Sequence, residues 1–346
     1  MQGNWKAFLT QAGALFDRER IESFGDPAWE LRQALEGDIL CDLSHLGLIR
    51  VGGEDAERFL QGQLTCDIRL IKEDSSRLGA LCSPKGRMLA TFRVFRREGD
   101  YYLRTRAEQV EPLLHKLRLY VLRSKVTLED ADPVLGRIGL AGRQSILLLE
   151  EALGMVPLEP DRVLYHQGLT VIRLPGEPAR FEIYGQYPAL ENLWLALAPR
   201  SVPAGVEPWT LLEILAGVPA VHPETQEAFI PQMTNLQLLG GVSFRKGCYT
   251  GQEVVARTQH LGRLKRRMYR AHLDSGTIPR AGTPLHCPLA GDNQDAGRIV
   301  EAARHPDGGF EVLAVVPMEY AREGTVYLGQ DGPPLQFQPL PYPLEH

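Results

Sequence analysis

The sequence predicts an α+β protein in which two successive split βαβ units form one body and a small β-barrel follows. Three observations carry this. Apolar residues alternate between strand period and helical period in the order β-α-β-β-α-β, and that order occurs twice between residues 46 and 200. From Lys265 onward the texture changes to short alternating runs set between Gly/Pro clusters, a pattern that suits an antiparallel barrel. Finally, 34 glycines and 25 prolines in 346 residues imply many turns and therefore many short strands.

The elements follow in order. Trp5, Phe8, Leu9, Ala12, Leu15 and Phe16 recur at helical spacing and predict an opening amphipathic helix rather than a secretory signal. A second helix is expected over Ala28–Leu35, stopped by Gly37. The first set then reads as a strand at Gly47–Val51, a helix at Glu54–Leu64, and strands at Leu78–Cys82, Met88–Phe95 and Tyr101–Thr105. A helix at Val110–Tyr120 and a strand at Lys125–Leu128 close it. The second set has a strand at Ile138–Leu140, a helix at Ile146–Leu153, one or two strands within Val163–Leu174, a strand at Phe181–Tyr184 and a helix at Leu190–Leu197. In the C-terminal part, strands are expected at Arg267–Leu273, Ala296–Ala302, Phe310–Val316 and Thr325–Leu328. The expected domains are 1–135, 136–260 and 261–346, the second including the segment from Pro208 to Gln259.

Composition removes several functional classes. With 38 Lys+Arg against 43 Asp+Glu the net charge is −5, so no global field draws the chain to nucleic acid or anionic lipid. No run approaches the apolar length of a membrane span. The five cysteines, Cys41, Cys66, Cys82, Cys248 and Cys287, are odd in number and lack any C-x-x-C, which argues against a disulfide framework or a local metal site and fits a reducing, cytoplasmic compartment. The phosphate-loop, dinucleotide, zinc-protease and serine-hydrolase motifs are all missing.

Three segments carry chemistry. In Lys246-Gly247-Cys248-Tyr249-Thr250-Gly251-Gln252-Glu253, Thr250 and Glu253 form a T-x-x-E capping box that starts a helix just after the cysteine. Its dipole, with Arg245 and Lys246 upstream, favours a thiolate at Cys248; the plainer reading is a buried cysteine packed as a small hydrophobe. Arg257, Arg263, Lys265, Arg266, Arg267 and Arg270 form an acid-free basic stretch that suits phosphates, a polyglutamate tail or RNA, or else is a solvated linker. In Phe181-Glu182-Ile183-Tyr184, alternation places Glu182 and Tyr184 on one face. There Glu182 either accepts paired N–H donors from a planar heterocycle on an open sheet face or simply faces solvent. Trp209 is a core anchor or the aromatic wall of a pocket.

The run Phe229–Arg257 (FIPQMTNLQLLGGVSFRKGCYTGQEVVAR), together with Phe59–Asp67 (FLQGQLTCD), Trp209–Pro219 and the closing PLPYPLE, resembles the YgfZ family of folate-binding proteins over nearly the whole chain. That family is related to the aminomethyltransferase (T-protein) of the glycine cleavage system. The resemblance implies a folate-binding body of two ferredoxin-like units plus a C-terminal β-barrel, tetrahydrofolate as ligand, and a cytoplasmic role supporting iron–sulfur enzymes, among them radical enzymes that modify tRNA. It places Cys248 and Lys246 on the functional motif, Trp209 on a folate-contacting tryptophan, and Glu182 where T-proteins hold the pterin. Leu46 stands where related chains can carry a second folate-contacting tryptophan, a departure from the pattern. A second departure concerns the paired aspartates that T-proteins carry after a glycine turn. Here Ala90 and Thr91 follow Gly86, so neither offers a carboxylate for one-carbon transfer.

These readings leave three functions. The first is a folate-binding accessory protein whose partners are iron–sulfur enzymes or assembly factors. The second is a one-carbon transferase, disfavoured by the missing carboxylate. The third is an RNA-binding module built on residues 257–270. No metal is expected to be held by this chain alone, because a single cysteine without local partners cannot ligate a cluster.

Overall fold

The computed structural model describes residues 2–260, 262, 264–289, 296–323 and 326–344. In chain order the elements are α1 (Gly3–Gln11), β1 (Leu15–Asp17), β2 (Arg20–Ser23), α2 (Pro27–Glu36), β3 (Asp38–Asp42), β4 (Leu46–Gly52) and α3 (Ala56–Gln63). Next come β5 (Arg77–Cys82), β6 (Met88–Arg97), β7 (Asp100–Arg106), α4 (Val110–Val121), β8 (Thr127–Asp130), β9 (Gly136–Gly142) and α5 (Ser145–Leu153). They continue with β10 (Val163–His166), β11 (Leu169–Leu174), β12 (Arg180–Gly185), α6 (Tyr187–Leu197), β13 (Val202–Ala204), α7 (Val206–Leu215) and α8 (Gln252–His260). The C-terminal part holds β14 (Arg266–Leu273), β15 (Leu285–His286), β16 (Arg298–Arg304), β17 (Phe310–Pro317), α9 (Met318–Glu323), β18 (Tyr327–Leu328) and β19 (Gln336–Gln338). The chain is α+β, and both repeated sets of strands and helices appear where the apolar periods place them.

Two compact units emerge. The first comprises Met1–Leu60, Ile68–Arg77 and Phe92–Trp209, and the second Gln61–Asp67, Leu78–Thr91 and Thr210–His346.

In the first unit, a six-stranded sheet has the order β10-β11-β12-β9-β3-β13, in which β13 runs parallel to β3 and the other pairs are antiparallel. Strands β6, β7, β4 and β8 pair antiparallel in a second sheet. Side chains of a strand alternate between faces, so β12 divides cleanly. Phe181 and Ile183 join Ile138, Leu140, Val171 and Leu40 in an apolar layer covered by α1, α5 and α6. Within that layer the Trp5 ring meets Trp194 edge-on at 6.1 Å, and its indole N–H donates to Asp42 Oδ1 at 2.8 Å. The bond leaves no polar atom of the tryptophan unpaired inside the core, which is what permits so large a side chain to be buried there.

The opening helix is shorter than its apolar spacing predicts. It ends at Gln11, Gly13 takes φ +99°, and Leu15 and Phe16 leave in a hairpin that pairs Phe16 with Ile21. A glycine in the left-handed region ends a helix at little cost, and the two apolar residues then continue on strand geometry. Strand β3, unmarked by alternation because Ile39, Leu40 and Cys41 are all buried, fills the place between β9 and β13.

In the second unit, β16-β17-β14-β19 form a four-stranded antiparallel sheet and β15 pairs with β18. Ala271, Leu273, Ile299, Val312, Ala314 and Val316 alternate into one apolar core between them. Thr325, the first residue of the last strand expected from the sequence, lies outside the described residues.

Because Trp194 is fully buried against Trp5 and Phe24, Trp194→Ala is expected to destabilise the first unit by about 3–5 kcal/mol, read from the midpoint of urea unfolding at unchanged slope.

Candidate functional site

The inner faces of the two sheets of the first unit meet through polar and aromatic side chains. Arg180, Glu182 and Tyr184 share the inner face of β12, and their cross-strand partners on β9 are Ala141, Gly139 and Arg137. On the facing sheet, Arg93 and Phe95 of β6 pair with Arg104 and Tyr102 of β7. Arg104 Nη2 donates to Glu182 Oε1 at 2.8 Å, and the Tyr184 hydroxyl donates to Oε2 at 2.5 Å. Phe95 packs on the Tyr184 ring at 4.7 Å, and Arg97 reaches the Thr170 hydroxyl at 2.9 Å. Glu182 is thus fully buried. The expectation of an open sheet face or a solvent-facing glutamate is overturned, because the β6–β7 side chains cover it.

Burial pushes the Glu182 carboxyl up, but the charges of Arg104 and Arg93 and the hydrogen bonds from Tyr184 and Arg104 outweigh it and hold it below the usual glutamate range. The Tyr184 phenol moves the other way, raised well above its ordinary value first by burial and then by the Glu182 charge. Glu182 is therefore an anion inside the protein at neutral pH.

Trp209 belongs to the same place. A side chain at Gly139, the residue opposite Glu182, would come within 2.5–2.8 Å of the Trp209 ring, so the glycine leaves the space the indole fills. The Arg180 guanidinium stands 5.9 Å from that ring, and Trp209 Nε1 is buried with no hydrogen-bond partner among the described residues. Leu46 is also brought to this region. It opens β4, is buried, and pairs with Arg106 two residues along from the Leu48–Arg104 pair, so it shares the inner face with Arg104. Its neighbour His45 is buried, and burial first, then the charges of Arg106, Arg20, Arg104 and Arg137, depress its pKa well below the normal histidine value.

In the second unit, Cys248 is exposed while Cys41, Cys66, Cys82 and Cys287 are buried, and all five are free thiols. The packed-hydrophobe reading of Cys248 does not hold. Burial lifts the Cys82 thiol to about 12, so it stays protonated and inert. Cys248 borders a cleft of about 550 Å³ lined also by Pro84, Tyr249, Thr250, Gly251, Gln252 and Ala256, and α8 starts at Gln252, just after the cysteine. Gly251 and Gly86 both have positive φ, and a side chain on Gly251 would strike Ser83 O and the Gly86 backbone. That approach lets the 83–86 turn pack directly on the start of α8.

Lys246 is buried rather than presented to the cleft. Its ammonium donates to Leu64 O at 2.6 Å and Cys66 O at 2.8 Å and lies 5.1 Å from the Tyr249 ring centre. The loop is further tied by Ser243 N–H to Thr65 O at 2.9 Å. The FLQGQLTCD and RKGCYTGQE segments, far apart in sequence, are thereby joined.

Comparison with known proteins now adds identity. Residues 14–243 match the GCVT N-terminal domain. A protein of Hamiltonella defensa, named tRNA-modifying protein YgfZ, is 33% identical over 290 residues, 84% of this chain and 86% of its own. One of the same name from Escherichia coli is 33% identical over 308 residues, covering 88% and 94%. The chain belongs to the YgfZ family. Its fold is also that of a glycine cleavage system aminomethyltransferase T from Bartonella henselae, at TM-score 0.80 and 20% identity over 97% of this chain and 96% of that one.

The missing carboxylate and the basic stretch take physical form as well. Ala90 is fully buried on β6, in the second unit, and neither it nor Thr91 brings a carboxylate. The basic stretch is largely occupied: Arg257 lies 3.7 Å from Glu253, Arg267 is buried, Arg270 pairs with Glu311 at 3.6 Å, and Arg263 lies outside the described residues. Arg266 lines a cleft of about 520 Å³ with Arg87 and Arg298, but Glu224 and Glu227 line it too. Among the described residues no group of three or more metal-ligating side chains gathers, and no helix is long and apolar enough to cross a membrane.

Sequence reasoning missed Arg104, Gly139 and Arg180. A lone arginine inside the otherwise apolar β7 run (Tyr101–Thr105) was the one signal available for the first.

Lys246→Met removes the hydrogen bonds from the buried ammonium to the Leu64 and Cys66 carbonyls, and the expected cost is about 1–3 kcal/mol. Amide hydrogen exchange should show protection lost at Ser243 and in the 246–251 loop, while β14 and β17 keep theirs.

Proposed function

We propose that this protein binds tetrahydrofolate in its first unit and acts as an accessory to the assembly or repair of iron–sulfur enzymes, including radical enzymes that modify tRNA. Cys248 is its reacting group, and the compartment is the cytoplasm. The observation that carries the folate reading is the ionised, buried Glu182 beside Trp209, brought together across Gly139. A pterin offers an amide N–H and an adjacent amino group along one edge, and a carboxylate with free lone pairs is the matching acceptor.

The chemistry of these residues suits such a ligand, whose entry requires the β6–β7 side chains that cover Glu182 to move aside. Glu182 would take the donor edge, the Trp209 indole would supply a planar wall and an N–H donor, and Leu46 an apolar surface on the facing sheet. When bound, tetrahydrofolate supplies a carrier for one-carbon units. The strand orders of this chain also support reading each set of strands as a ferredoxin-like unit, the second with β3 inserted, and the C-terminal sheets as a barrel. The name of the curated relatives supports the link to tRNA modification.

Lys246 serves in this reading as the anchor of the Cys248 loop, since its ammonium donates to the backbone carbonyls of Leu64 and Cys66. Cys248 presents the exposed thiol to a protein partner. Any cluster held there draws its remaining ligands from that partner or from glutathione. Aminomethyl transfer of the T-protein kind is disfavoured, because Ala90 and Thr91 cannot relay a proton.

Calorimetric titration of tetrahydrofolate tests the reading. Wild type is expected to bind, Trp209→Phe to bind about tenfold or more weakly through loss of the indole donor, and Cys248→Ser to bind as wild type. No binding heat with the wild-type protein would refute the folate assignment.

A further inference from the structure

The buried carboxylate of the first unit is held from two sides, and that arrangement has a consequence for what the site selects. Glu182 cannot turn freely. Its Oε1 accepts from Arg104 on the facing sheet and its Oε2 from Tyr184 two residues along its own strand, at 2.8 and 2.5 Å. A carboxylate has about four lone-pair positions, so one remains on each oxygen after these two bonds. The residue opposite Glu182 has no side chain, and the Trp209 ring lies against that glycine.

We infer that Arg104 is a positioning residue: it keeps Glu182 an oriented, ionised acceptor, so the site takes a planar heterocycle that presents two adjacent N–H donors and rejects one that presents an acceptor there. The inference rests on the folate reading for the identity of the ligand. It goes beyond that reading by naming the residue that sets the charge of Glu182 and the hydrogen-bonding pattern the charge demands.

Competing electrostatic effects set the charge of Glu182. A carboxyl buried this deeply, left to itself, prefers the neutral form. A neutral carboxyl would offer an O–H donor along with its carbonyl, and would suit a ligand with one donor and one acceptor. The groups facing Glu182 are the Arg104 guanidinium from β7, the Arg93 guanidinium from β6 and the Tyr184 phenol from β12; Arg137 of β9 faces Tyr184 in turn. Arg93 is committed elsewhere, donating to Asp161 at 2.5 Å and to the Ser76 hydroxyl at 2.9 Å. Of the two cations, only Arg104 is hydrogen-bonded to Glu182 in the structure. With Arg104 removed, Tyr184 and the more distant Arg93 remain against full burial.

Two readouts decide this, both on the full-length protein. In the first, calorimetric titration with tetrahydrofolate is run from pH 5 to 8. Wild type and Arg104→Lys should bind with little pH dependence. Arg104→Met should weaken toward acid, by about tenfold for each pH unit below the raised carboxyl pKa. A 2-desamino folate, which lacks one of the two donors, should bind wild type at least about tenfold more weakly, and Glu182→Gln should shrink that difference.

In the second, infrared spectra of the ligand-free protein at pH 6 should show in Arg104→Met a protonated-carboxyl band added to the wild-type spectrum. The added band should be lost in Arg104→Met/Glu182→Gln, the pair that also controls for folding. An Arg104→Met profile equal to wild type, with no added band, overturns the role of Arg104. Failure of the wild type to bind tetrahydrofolate overturns the folate reading and the ligand selection with it, and the infrared spectra then decide the role of Arg104 alone.

Discussion

A fully buried carboxylate and a largely buried guanidinium meet between the two sheets of the first unit. Moving either charge out of water is costly, and removing one partner strands the other. The Arg104–Glu182 pair therefore ties β7 of one sheet to β12 of the other in one register, with Tyr184 completing the carboxylate from its own strand. The neighbouring contacts follow the same alignment. Phe95 meets the Tyr184 ring, Arg97 meets Thr170, and Arg93 meets Asp161. The glycine opposite Glu182 belongs to the same design, since a side chain there would displace Trp209. A purely apolar interior could hold the sheets together as firmly, but it would present no acceptor to a ligand.

The second unit solves a different problem, which is to expose one thiol on a firm support. Backbone carbonyls at Leu64 and Cys66 are satisfied by the Lys246 ammonium, and two glycines let the 83–86 turn and the start of α8 touch. Cys248 stands exposed next to this rigid arrangement, whereas the other four thiols are buried. The motif that identifies the family thus contains residues of two kinds. Lys246 and Gly251 hold the loop, and Cys248 is what the loop holds out. The fold of the aminomethyltransferase is retained, while Ala90 on β6 is buried and carries no carboxylate.

Much of this was legible before any coordinates. Period-2 and helical-period runs placed both sets of elements, because burial of one face imposes those periods directly on residue choice. The K-G-C-Y-T-G-Q-E run identified the family through residues close together in the chain. Short-range rules failed where burial was two-sided or a turn intervened. β3 carries no alternation because Ile39, Leu40 and Cys41 are all buried, and the opening helix stops early at Gly13 because a glycine tolerates the left-handed turn that Leu15 and Phe16 then follow into a hairpin.

Sequence alone determined the fold class, the family and the residues worth suspecting, Glu182, Trp209, Cys248 and Lys246 among them. Only the tertiary structure decided how each of them is held. Glu182 is an enclosed anion and not a surface group because Arg104, 78 residues away in the chain, lies across from it. Lys246 is a clamp because two carbonyls some 180 residues upstream point at its ammonium. Charge state and hydrogen-bond partnership are set by what surrounds a group in space, and at such separations along the chain no local pattern records them.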